Sequence, residues 1–174
     1  MGRVRRMLGR PVVVGLLVAG LVAVGAGVVW FQPWKLWVDT TVRETVPAAA
    51  ADGPGRGPRT LAVGELISHE HSTSGTVRIL ELPDGKRTLR LENLDTSNGP
   101  DLRVLITDAP VKEGRAGWYV FDDGAHRSLG SLKGNKGDQN YALPAGLDLD
   151  RFTSVSIWCD RFDVSFGAAG LTRV

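Results

Sequence analysis

Twenty-one residues without a charge, PVVVGLLVAGLVAVGAGVVWF from Pro11 to Phe31, set the first limit on this chain. A run of that length and polarity satisfies its backbone as a helix crossing a hydrocarbon layer, where each amide must bond within its own segment. Its glycines would weaken a helix in water but are common in membrane spans. Arg3, Arg5, Arg6 and Arg10 precede it, and Trp30, Trp34 and Trp37 cluster at its end. Basic flanks stay on the cytoplasmic side and amphipathic indoles suit the far interface, so everything after Phe31 is expected outside the cytoplasm at the cell membrane. The run exceeds an ordinary signal-peptide core and the small-residue site around Val24 to Gly27 is weak, which favours an uncleaved anchor over cleavage. No cysteine lies near the end of the run, so a lipoprotein anchor is excluded.

That span divides the rest. Residues 1–10 form a basic head and 11–31 the anchor. Residues 32–46 form a juxtamembrane segment whose Trp34, Trp37, Val38, Thr41, Val42 and Val46 recur at three- and four-residue spacing, so a helix is expected from Pro33 to Val46. Residues 47–60, PAAAADGPGRGPRT, read as a linker that tethers a domain over 61–174 close to the membrane.

Charge follows the same division. Of 21 basic residues, Arg3, Arg5, Arg6, Arg10 and Lys35 precede Asp39, the first acid, which leaves 16 against 19 acids. The outer part is therefore mildly acidic, and a nucleic-acid partner, which needs a basic face on the folded domain, is not expected.

From Leu61 onward no long amphipathic helix shows. Short apolar-alternating runs are separated by turn residues: Leu61 to Ser68, Gly75 to Leu82, Arg87 to Leu94, Asp101 to Asp108, then SLGSL, QNYAL and SVSIWC. Pro83-Asp84-Gly85 makes a hairpin of the second and third runs. Leu80 and Leu82 break the parity of Val77 and Ile79, which predicts a bulge. Short strands at this spacing define an all-β antiparallel sandwich or partly open barrel behind a single N-terminal transmembrane helix.

The chemistry-bearing residues are few. Cys159 is the only cysteine, so no intrachain disulfide forms, and no cysteine pair has zinc-finger spacing. In the strand Ser154 to Cys159, alternation puts Val155, Ile157 and Cys159 on one face. Ser156, Trp158 and Asp160 take the other, continuing to Phe162, Val164 and Phe166 if no bulge intervenes. The thiol is either one wall of a site or a small buried hydrophobe. His69 and His71, two apart, face one side of a strand and could serve a metal or a haem iron. With Cys159 they make the imidazole–thiolate set of a blue-copper centre, but the histidine that should follow the cysteine is missing and both methionines lie in the basic head. Asp95, Asn98 and Asp101 in one glycine-bearing loop, and Asn135, Asp138, Gln139 and Asn140 in a second one spanning Leu132 to Pro144, offer oxygen ligands or ordinary turn hydrogen bonds.

Taken together, HSTSGTVRIL, LRLENLDTSNGPDLRVLITD, LGSLKGNKGDQNYALP and SVSIWCDRFDVSFGAAGL, in this order and spacing, resemble the DM thirteen family in a membrane-anchored, bacterial-type form. The resemblance runs from about Gly64 to Leu171. It implies a small extracytoplasmic β domain with a redox or electron-transfer role, Cys159 as the redox thiol and His71 as the histidine before the TSG element. A metal held by His71 and Cys159, or a haem, would be the cofactor, and a separate redox or envelope protein the partner. The other reading is a non-catalytic binding module that meets an envelope protein or glycan through Asn98, Asp101, Asp138 and Asn140.

Overall fold

The structure, a computed structural model, describes residues 11–47 and 57–174, at Leu36 the backbone only. The basic head and most of the expected linker lie outside the described residues. By chain contacts the protein divides after Lys35 into an amino-terminal unit and a β unit, Leu36–Val174. In the first, α1 runs unbroken from Pro11 to Phe31 with no buried residue, as an all-apolar helix does when hydrocarbon is its solvent. It is the one helix among the described residues long and apolar enough to cross a membrane.

Among the described residues the β unit holds eleven strands in two sheets that do not close into a barrel. β1 (Thr41–Arg43), β2 (Arg59–Glu65), β4 (Ser74–Glu81), β5 (Arg87–Asp95), β8 (Lys136–Ala142) and β11 (Thr172–Arg173) form a six-stranded sheet in the order β1-β8-β5-β4-β2-β11. β3 (Ile67–Ser68), β6 (Leu102–Thr107), β7 (His126–Ser131), β9 (Ser154–Cys159) and β10 (Val164–Gly170) form the other, ordered β3-β10-β9-β6-β7. All pairs are antiparallel except β1 with β8. The two inner faces meet in a core of Val77, Ile79, Leu89, Leu91, Val104, Ile106, Val155 and Ile157, each fully buried. On the opposite face of the five-stranded sheet, Leu105, Trp158 and Ala168 pack under Ala109 and Phe121 of the connection from β6 to β7. That sheet is thus covered on both sides, which is why β9 is buried at all six positions.

Four sequence readings change. Pro33–Trp37 is a short 3-10 turn, and the chain then extends into β1 instead of continuing as a helix to Val46. The run Leu61 to Ser68 is two strands in different sheets, with the step between them at Leu66. The expected bulge lies on the partner: register between β2 and β4 shifts at Thr60/Ala62, opposite Leu80 and Ile79. Finally, Asp138 and Asn140 are not in a loop; they lie within β8.

Candidate functional site around Cys159 and His69

Cys159 ends β9. The chain then reverses through Asp160–Asp163, where Phe162 N–H donates to the Cys159 carbonyl at 3.2 Å and Asp163 takes a φ of 49°. Because a turn intervenes, β10 restarts the alternation: Val164 pairs with Cys159, and Val164 and Phe166 share its core instead of standing on the Trp158 face. Leu102 of β6 is its other cross-strand neighbour. The thiol has no exposed surface. Burial pushes its pKa up and the Asp101 charge adds to the shift, while the backbone groups of Arg161, Phe162 and Asp101 pull the other way.

His71 sits at the same end of the sandwich, with about a quarter of its side chain exposed and Nε2 3.7 Å from the Glu70 carboxylate. Its ring lies on Phe166, with centroids 3.9 Å apart. Burial lowers its pKa, and Glu70 opposes the shift. The ring tip of Phe166 and the side chain of Leu102 close on the α-carbon of Gly99, where a Cβ would lie 3.1 Å from each. Phe166 thus touches both the partly exposed imidazole and the loop at Gly99.

The four polar candidates are engaged within the chain. Asn98 donates to the Val38 carbonyl at 3.1 Å. Asp101 pairs with Arg103 at 3.3 Å. Asp138 accepts from Arg90 at 3.0 Å and from the Asn93 amide at 2.8 Å. Asn140 accepts from Arg90 at 3.0 Å and donates to the Thr45 carbonyl at 2.9 Å. Asp95, the third member of the first loop, faces Lys136 at 3.1 Å.

Residues 65–171 match the family model described as "Electron transfer DM13". The chain belongs to the electron-transfer DM13 family. No curated protein and no solved structure matches it. An electron-transfer domain implies a redox partner.

His69, offered by the sequence with His71 for a metal or a haem iron, lies in this DM13 domain within a buried polar chain that the sequence did not foretell. His69 is 8% exposed and stacks on Phe121 at 5.6 Å. Nδ1 lies 2.8 Å from Ser165 Oγ, and Nε2 lies 3.0 Å from the Lys112 carbonyl. Ser156 Oγ donates to Ser165 Oγ at 2.9 Å. A carbonyl only accepts, so Nε2 carries the proton, and Nδ1 accepts from Ser165, which accepts from Ser156. Every group is satisfied with a neutral imidazole, and burial lowers the His69 pKa accordingly. Serine–histidine contact here resembles a nucleophile and its base, but Ser165 and Ser156 are fully buried, so the chain acts as a clamp between β9, β10 and the 109–125 cover. The available signal was the serines at alternate positions of strands otherwise too apolar to face water.

Among the described residues no three His, Cys, Asp or Glu side chains come together as a ligand set. Both His69 nitrogens are committed, and the His71 ring rests on Phe166.

Proposed function

We propose that the chain is a membrane-anchored, extracytoplasmic electron-transfer domain whose redox group is the Cys159 thiol. The observation that carries the reading is the electron-transfer DM13 match over 65–171, which spans Cys159 and the whole strand pair that holds it. Cys159 is the chain's only cysteine and stands at the end of β9 between Leu102 and Val164, inside the matched region. The apolar α1 with four arginines ahead of it supports an anchor with its head inside. Burial keeps the resting group a protonated thiol, so its one-electron oxidation passes the electron to the redox partner and the proton to water. A separate redox protein of the envelope is the partner. The binding-module alternative draws no support from Asn98, Asp101, Asp138 and Asn140, whose side chains are engaged within the chain.

The test is voltammetry of the detergent-solubilised full chain, wild type against Cys159→Ser and Cys159→Ala, with melting curves to confirm folding. Both variants should lose the redox signal while melting cooperatively. A folded Cys159→Ala protein that exchanges electrons as wild type does removes the thiol from the proposal.

A further inference from the structure

The strand that follows the anchor is held to the domain by more than its own chain. β1 is three residues long and pairs parallel with β8, Thr41 with Lys136, Val42 with Gly137 and Arg43 with Asp138. Backbone bonds continue past both ends, from Lys136 N–H to the Thr40 carbonyl and from Glu44 N–H to the Asp138 carbonyl. A strand this short is marginal on backbone bonds alone, so the side chains around it decide whether it stays.

Those side chains are built for it. Asn135 is 1% exposed; its Oδ1 accepts from Thr40 N–H at 2.7 Å and its Nδ2 donates to Asp39 at 2.7 Å and to the Thr96 carbonyl at 2.9 Å. Arg90, 4% exposed, donates to the Glu44 carbonyl at 3.0 Å. The Glu44 carboxylate bridges Lys133 Nζ and the Asn140 amide, each at 2.7 Å. Two nearly buried polar groups thus spend donors and acceptors on a segment from outside the family match, and each would be left partly unpaired without it.

Two glycines complete the track. A Cβ on Gly137 would overlap the Val42 carbonyl oxygen, and one on Gly134 would overlap the Thr40 carbonyl oxygen and lie 2.8 Å from Val42 Cγ2. Gly134 has no positive φ, and the three atoms nearest its absent side chain belong to Thr40 and Val42 of the segment Val38–Thr45, a strap over β8. An alanine there blocks the strap without straining its own backbone.

We propose that the β8 edge is a binding site for an extended segment and that Val38–Thr45 is its resident occupant. The domain then stays attached to the amino-terminal helix even when the chain between residues 47 and 57 is cut. This holds whether or not Cys159 is a redox group. Strand addition with side-chain anchoring is an established way for one polypeptide to grip another; here both partners come from one chain.

The test uses the full chain in detergent with an amino-terminal affinity tag and a specific protease site inserted between Ala51 and Asp52. After complete cleavage the wild-type domain should elute with the tag, and excess synthetic peptide covering residues 36–47 should release it by competition. Gly134→Ala should raise the released fraction at least about tenfold, some 1.4 kcal/mol of docking, while the uncleaved variant still melts cooperatively. If that variant does not fold, Glu44→Ala on the strap takes its place with the same expectation. Release of the wild-type domain on cleavage as fast as the variant's, or full retention of the folded variant, overturns the proposal.

Discussion

Replacing His69 with alanine should lower the stability of the β unit by about 3–4 kcal/mol. Two neutral hydrogen bonds, to Ser165 Oγ and the Lys112 carbonyl, contribute about 1 kcal/mol each. Loss of the ring from its stack on Phe121 adds roughly 1–2 kcal/mol. Against a total stability of about 5–15 kcal/mol that is a large fraction, and for a unit of this size it moves the melting midpoint down by about 10 °C or more. The same residue gives stability a pH slope. Its pKa in the fold lies below the ordinary 6.5 because burial disfavours the imidazolium. The unfolded chain therefore binds the proton more readily, so stability is complete above pH 6.5 and falls as the medium is acidified below it. His71 is shifted in the same direction by its own burial and contributes a slope of the same sign. His69→Gln keeps an amide that can donate to the Lys112 carbonyl but cannot titrate. Urea melts at pH 7.5 and 5.0 should therefore show a smaller acid-induced loss for His69→Gln than for wild type, the remainder belonging to His71. An unchanged slope in a folded His69→Gln protein would refute the clamp as a neutral-imidazole device.

Two further outcomes follow from the same geometry. The Cys159 thiol, sealed and with its pKa raised by burial, should react with iodoacetamide at pH 8 at least about a hundredfold more slowly in the native protein than in urea; labelling at the unfolded rate would show the sulfur to be open. Asp39 is held below the usual carboxylate range chiefly by Asn135, and Glu44 chiefly by Lys133. Groups with depressed pKa stabilise above their unfolded values and stop doing so as pH falls past them, so retention of the cleaved domain by its tag should be full at pH 7 and decline below about pH 4.5, and a flat profile there would dismiss these carboxylates from docking.

The anchor and most of the sheet were legible because their signals are local. An uncharged 21-residue run has one stable form in lipid, and SVSIWC alternates cleanly enough to give β9 its observed ends. The turn at Gly85 was equally plain, since its φ of 78° suits glycine. Where the reading failed, the deciding contact lies far along the chain. Pro33 to Val46 carries helical spacing, but the partner of Thr40 is Asn135, 95 residues away, and that bond outweighs a weak propensity. Asp138 and Asn140 looked like loop residues because polar side chains are depleted in strands; they are tolerated in β8 because Arg90 and Glu44 answer them. Val164 and Phe166 changed face because a four-residue reversal, marked only by Asp163 in a left-handed conformation, was hidden inside an apolar-alternating run.

The family match and the folding unit do not have the same limits, and the difference has a physical cost. The match starts at residue 65, whereas the compact β unit starts at Leu36. Exposed sheet edges invite pairing with other chains, and proteins cover them; here β1 covers β8, and β11, antiparallel to β2, covers the other edge. A chain beginning at Gly57 would strip the first cover. Asn135 would lose its bonds to Thr40 and Asp39, Arg90 its bond to the Glu44 carbonyl, and the Gly134–Gly137 track would lie bare. At about 1 kcal/mol for each lost bond, offset in part by water, the shortened domain should be some 2–3 kcal/mol less stable than one beginning at Leu36. Light scattering should also find it self-associating, since its bare edge can take the strand of a neighbour. Equal melting midpoints and equal monodispersity for the two chains would mean that β1 is only draped on the sheet, and that the polar residues of β8 owe their places to something other than the strap.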